Sequence, residues 1–366
     1  MSSTPGDPSE MVSESSTQPA APFAERALQI LNDGCLAMLM SIGHQTRLFD
    51  LMATMSPATS QEIASQAGLN ERYVREWLGG MVVGRIVVYD AHASTFVLPP
   101  KRAGLLTRSA GADNFAGIMQ YVALMGEVEQ EVVEAFRTGG GVPYSAYPRF
   151  QELQGEESRQ MYGANLIQHI IPLDPELAAR LREGITVADI GTGAGAALNL
   201  LAQAFPGSRF KGFDFTTEGI SIAQAEARQM GLSNVEYEVK DIAVLDEEGA
   251  YDLVTAFDVI HDLAKPRQVL SRVAKALKPE GVFLMVDMAA SSNLEENLDH
   301  PLGPALFTFS TMHGMTVSLA QNGEGLGTVW GEQKAIELLK EAGLQNVAVH
   351  QLEGDILHNF YFARRM

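Results

Sequence analysis

Asp189, Gly191, Gly193 and Gly195 lie in VADIGTGAGAALNLLAQAF, where an apolar β-like segment turns through three alternating glycines into an amphipathic helix. Glycines at such a turn let the backbone pass close to a bound molecule, because no Cβ stands in the way. Two spacings can be read. Gly191, Gly193 and Ala196 give a G-x-G-x-x-A pattern, which cradles a pyrophosphate. The spacing D-x-G-x-G-x-G fits better, since an acid just ahead of the glycines can meet an ammonium group and would repel a phosphate. Asp214 ends KGFD about twenty residues on, placed to accept from ribose hydroxyls, a position that a nicotinamide dinucleotide would use equally well. Asp241, in EVKDIAV, can accept from an adenine amino group, and Asp258 closes YDLVTAFD above the same crevice. Phe215 and Ile242, each next to one of these acids, complete the expected cofactor-binding set.

A histidine follows directly. DVIHDLAKP puts His261 just beyond a strand end with Asp262 beside it, where an imidazole can take the proton of a nucleophile. A second group is expected to line an acceptor pocket: Tyr144, Tyr147 and Arg149 after the glycine break TGGGVPYSAYPRF, His169 further along, and His313 in STMHGMTVSLAQ. Tyr162, Met312 and Trp330 read equally well as core. The histidines are isolated and no CxxC spacing occurs, so no metal is expected.

The elements that must position these residues fall into two textures. Apolar residues at helical spacing (Leu28, Leu31, Cys35, Leu39, Ile42) predict one or two helices over 24–55. Thr59 and Glu62 form a capping box for a further helix that Gly68 stops, and NERYVREWLGGMVV gives another. GRIVVYDAHASTFVLP then reads as a β-hairpin, which completes a winged-helix pattern over 23–110. Residues 111–183 read as helical and pocket-lining, broken by the glycine–proline loop. From 184 to 366, seven β-branched or aromatic runs alternate with helices, predicting an α/β fold with a mainly parallel sheet covered on both faces. The last two runs, joined by EGDI, predict an antiparallel hairpin. Residues 290–330 read as a long irregular lid or binding loop.

Composition narrows the function. A chain of 366 residues with 46 % apolar and 19 % charged residues is an ordinary globular protein of more than one domain. A net charge of −19 disfavours nucleic acid and anionic membrane partners. The one cysteine, Cys35, excludes an intramolecular disulfide; its apolar neighbours Leu36, Met38 and Leu39 predict a buried, inert thiol. Residues 1–22, rich in Ser, Thr and Pro, read as a disordered tail without a secretory signal. No run approaches ~20 apolar residues, so nothing spans a membrane and a cytoplasmic location is expected.

With these motifs in order, the stretch 184–366 resembles the class I S-adenosylmethionine-dependent methyltransferases, down to the YDLV and LKPEG succession. That resemblance implies a Rossmann-like seven-stranded domain, S-adenosyl-L-methionine as cofactor and a small-molecule acceptor. With its N-terminal half included, the chain is similar to small-molecule O-methyltransferases of plants and bacteria and to bacterial winged-helix methyltransferases. In such families the mainly helical module pairs subunits into a homodimer and does not read DNA; here Glu71 and Glu76 offset Arg72 and Arg75. The match to the His-Asp pair of the plant enzymes implies His261 as catalytic base. The chain departs from them at Leu263, where they carry Trp, and their further acidic partner has no evident counterpart. Three alternatives stay open: S-methylation of a small thioether such as 4-methylthio-2-hydroxybutyrate, on the route to dimethylsulfoniopropionate, a cofactor-sensing regulator, and a dehydrogenase.

Overall fold

A computed structural model describes residues 20–365. The described chain divides into two compact units. The first runs to Thr107 and includes Phe115–Val122; the second comprises Arg108–Asn114 and Ala123 onward.

The first unit contains α1 (Ala20–Gln45), α2 (Leu48–Thr54), α3 (Ser60–Ala67), α4 (Glu71–Val83) and an antiparallel hairpin of β1 (Val88–Asp90) and β2 (Thr95–Val97). The expected capping box is present: Thr59 accepts from the Glu62 amide while Glu62 accepts from the Thr59 amide, and Gly68 closes α3 at φ 66°. Phe49, Ile63, Trp77, Leu78 and Met81 form the core, and the Trp77 indole donates to the Leu39 carbonyl at 2.8 Å. Helix α1 begins at Ala20, inside the span expected to be a tail; residues 1–19 lie outside the described chain.

Cys35 corrects an expectation: it is exposed. Its flanking apolar residues are not a buried surround, because Leu28, Leu31, Met38 and Ile42 are themselves 45–62 % exposed. These five positions step 3, 4, 3 and 4 residues along α1, the repeat of a helix-pairing seam. Among the described residues no helix is long and apolar enough to cross a membrane.

The second unit is built on a seven-stranded sheet: β3 (Thr186–Ile190), β4 (Arg209–Asp214), β5 (Val235–Val239), β6 (Tyr251–Phe257), β7 (Leu277–Met288), β8 (Leu344–His350) and β9 (His358–Arg365). Their order is β5-β4-β3-β6-β7-β9-β8, with β9 antiparallel to both neighbours as the short connection predicts. Ala188, Ile190, Leu253, Val254, Phe283 and Leu284 are fully buried, so the central strands are near-continuous apolar runs with helices on both faces. Strand order reverses at β3, and the crevice beyond the carboxyl ends of β3 and β6 is where such sheets hold ligands.

Two sequence readings are revised here. The segment 290–330 is mainly helical, with helices at Gly303–Phe309 and Met315–Ala320 joined by a π turn at Ser310–Gly314. The glycine–proline loop holds a short 3₁₀ turn at Tyr144–Ala146, because its glycines lie ahead of the turn.

Candidate active site

The glycine loop leaves β3 at Ile190 and enters the helix Ala196–Ala204, with Gly191, Gly193 and Gly195 all at positive φ. The three glycines differ in what a side chain would meet. A Cβ on Gly191 would fall 2.6 Å from Val259, and one on Gly195 would fall 2.5 Å from Ala223. A Cβ on Gly193 would meet nothing closer than the Gln151 side chain at 3.6 Å, so this residue faces the cleft. In the cleft the loop and Asp189 form one wall, and Gln154, Ser158 and Tyr162 of the helix Phe150–Asn165 form the other. Sequence reading misses Gln154 and Ser158, whose role depends on a helix far away in the chain folding over the loop.

Asp189 is fully buried and accepts from the Thr255 hydroxyl at 2.6 Å. Burial raises its pKa to about 7, against the opposing hydrogen bond of Thr255. Asp214 clamps the loop: one carboxylate oxygen accepts from the Gly193 amide at 2.9 Å, the other from the amide and hydroxyl of Thr216. Phe215 follows it, 57 % exposed. Asp241 is exposed and caps the turn Ile242–Val244 through the Ala243 amide, with Ile242 buried beneath. Asp258 sits at the end of β6 with φ 57° and accepts from the Tyr162 hydroxyl at 2.9 Å. His358 stands behind it, 3.7 Å from Asp258 and 3.1 Å from Asp355. Burial opposes the charge on His358, but the two acids outweigh it and raise its pKa to about 9.

His261 is buried, and carboxylates face both of its ring nitrogens. Nδ1 lies 2.8 Å from Asp287 Oδ1, and Nε2 lies 3.2 Å from Asp262 Oδ1 at ion-pair distance. Burial alone would lower its pKa; Asp287 and Asp262 reverse that and raise it to about 10, so His261 is an imidazolium at neutral pH. Asp287 Oδ1 also accepts from the Trp330 indole at 2.9 Å and from the Met288 amide. Asp287 thus supplies an acidic partner that the sequence does not reveal, because β7 brings it alongside β6 from 26 residues away.

Next to Asp262 the structure gathers an aromatic cluster. His313 stacks flat on Phe150, with ring centroids 4.1 Å apart, and meets the edges of Tyr144 and Tyr147 at 5.4 and 4.8 Å. Tyr144 also meets Phe215 at 5.7 Å. Burial and the charges of Asp262 and Asp214 push the Tyr144 pKa well up. Tyr144, Tyr147 and His313 are therefore brought together, with Phe150 added. Arg149 and His169 are not. Arg149 is exposed and pairs with Glu152 at 3.0 Å, and His169 is exposed in a π turn at Leu166–Ile170.

The strand order with its glycine loop and acidic strand ends defines a class I methyltransferase fold. Two family descriptions match: an Rv2258c-like winged HTH domain over residues 34–108 and a methyltransferase domain over residues 181–343. The chain is thus a winged-helix protein with a class I methyltransferase domain. A ubiquinone biosynthesis O-methyltransferase of Burkholderia thailandensis is 32 % identical over 100 residues, which is 27 % of this chain and 42 % of that protein. Among solved structures, human N-acetylserotonin methyltransferase in complex with SAM has a TM-score of 0.68 at 17 % identity, covering 96 % of this chain and 99 % of that one. An O-methyltransferase family protein from Burkholderia thailandensis has a TM-score of 0.67 at 18 % identity, with the same coverage. At these identities the likeness is one of fold.

Proposed function

We propose that the protein transfers the methyl group of S-adenosylmethionine to a hydroxyl of a small molecule held against the aromatic cluster beside Asp262. The observation that carries this reading is the place of Tyr144. Its ring meets Phe215, next to the loop-clamping acid Asp214, and also meets His313, next to Asp262, so one side chain links the acid that clamps the glycine loop to the aromatic cluster. The cofactor fits the residues present. Asp189 is a buried carboxylate that a ligand ammonium would neutralise, and the Gln151 amide oxygen is buried without a partner. Asp214 would hold the ribose and Asp241 the adenine.

The cofactor supplies an electrophilic methyl group. The chain's part is alignment, where effective molarities reach ~10⁵ M or more, and removal of the acceptor proton. Ubiquinone biosynthesis O-methyltransferases among the curated relatives support oxygen, although a probable (S)-tetrahydroprotoberberine N-methyltransferase of Papaver bracteatum also matches. A regulator is disfavoured because Arg72 and Arg75 on α4 pair with Glu76 and Glu71.

A second reading, a thioether acceptor, draws support from His261: a protonated imidazole cannot serve as a base, and sulfur has no proton to lose. Calorimetry should give tight binding of adenosylhomocysteine and none of NAD. A panel of hydroxyl and thioether acceptors, followed by adenosylhomocysteine release and product mass, should then show methylation of a hydroxyl. Tight NAD binding alone would sink the methyltransferase reading; turnover of thioethers alone would sink oxygen.

The apolar seam of α1 further supports a homodimer through the N-terminal unit. Scattering should give twice the chain mass. Leu31→Glu with Met38→Glu should give a monomer, and a wild-type monomer at micromolar concentration would remove this assignment.

A further inference from the structure

We infer that His313, and not His261, takes the acceptor's proton, with Asp262 as the carboxylate that orients it; this rests on the hydroxyl reading above. His313 is presented by the π turn Ser310–Gly314, an irregularity common at functional sites. Residue 314 is glycine, and a Cβ there would fall 2.6 Å from Asp262 Oδ1, so the turn can approach the carboxylate only without one. Asp262 Oδ2 stands 3.4 Å from His313 Nδ1. In the inferred state that nitrogen carries the ring proton and Nε2 keeps its lone pair. Nε2 is buried and has no hydrogen-bond partner.

This is the geometry of an oriented base: a carboxylate on one nitrogen, an open lone pair on the other, and a ring fixed by stacking on Phe150. His261 lacks the second feature, because each of its nitrogens faces a carboxylate. The neighbouring phenols are already engaged. Tyr147 donates to the Met312 carbonyl, and the Tyr144 oxygen accepts from the Gln151 amide at 3.2 Å. The titratable groups facing His313 are Asp262, Tyr144 and Tyr147, with His261 behind Asp262. In the step, the hydroxyl proton passes to His313 Nε2 while the oxygen lone pair forms the bond to the methyl carbon. The methyl–sulfur bond breaks with its electron pair left on sulfur, and Asp262 offsets the imidazolium charge until the proton leaves to water.

The test uses the full-length protein labelled with ¹⁵N-histidine. Near neutral pH one buried histidine should show an unprotonated Nε2, assigned to His313 by its loss in His313→Gln, while His261 stays doubly protonated. On a hydroxyl acceptor, His313→Gln should lower kcat by ~10² to 10⁴ and abolish the acidic limb of the pH profile. Adenosylhomocysteine affinity, measured by calorimetry, should stay nearly unchanged and shows that the variant is folded. Asp262→Asn should lower kcat while leaving His313 in place. A doubly protonated or Nε2-protonated His313 at neutral pH would overturn the inference. So would a hydroxyl-methylating enzyme whose rate is indifferent to His313, which leaves the hydroxyl reading intact. An enzyme that methylates thioethers alone overturns the hydroxyl reading and the base role together.

Discussion

Gly193→Val is expected to leave the protein folded and to weaken adenosylhomocysteine binding at least ~100-fold, a loss of roughly 2.7 kcal/mol or more. The Cβ position at 193 has room, with its nearest neighbour 3.6 Å away on the end of the Gln151 side chain. Two further methyl carbons would occupy the cleft that the ligand must fill. The backbone strain at φ 50° costs of order 1–3 kcal/mol, which lowers the melting temperature by a few degrees. Gly191→Ala and Gly195→Ala should behave differently. Their Cβ atoms would collide with Val259 and Ala223, so the damage falls on the fold before it reaches the ligand. Calorimetry and thermal melts on the three variants separate the cases. Undiminished affinity in Gly193→Val would remove the loop from the cofactor site.

That contrast among three glycines is beyond the sequence, which presents them as one motif. Legible features are those set by near neighbours in the chain: the Thr59–Glu62 box, the apolar strand runs, the short link that forces β8 and β9 to pair, and acids placed at strand ends. Illegible features depend on residues meeting across the fold. Asp287 ends an ordinary buried strand and acquires meaning only because β7 lies beside β6. His313 and Asp262 meet from 51 positions apart. The lid reading of 290–330 gives glycine too much weight. Apart from Gly314, which ends the π turn, its breakers cluster at the ends, with Gly303 and Pro304 in the first turn and Gly323, Gly325 and Gly327 at the exit, so the interval between them is free to be helical. Cys35 misleads for a related reason, since an apolar helix stripe does not say which molecule covers it.

Asp287→Asn should destabilise the protein by about 3 kcal/mol or more, the usual cost of leaving a buried charge without its partner. The carboxamide of that variant could still accept from either the Trp330 indole or His261, but it brings no charge to offset the imidazolium. The loss should depend on pH in a defined direction. His261 has a folded pKa of about 10 against an ordinary 6.5, so the folded state holds a proton that the unfolded chain gives up. Its stabilisation is fully present below pH 6.5 and disappears as pH rises toward about 10. His358, at about 9, adds to the same decline. Asp189 acts in a lower window: with its pKa raised to about 7 from 3.8, it disfavours the cofactor-free fold progressively as pH rises between those values. Urea unfolding of wild type and Asp287→Asn across pH 6.5 to 10 should therefore give two curves that converge at the alkaline end, because the variant has already lost what alkali removes from wild type. A wild-type protein equally stable at both extremes, or a variant deficit constant across the range, would mean that His261 is not held as an imidazolium, and would return it to consideration as the base.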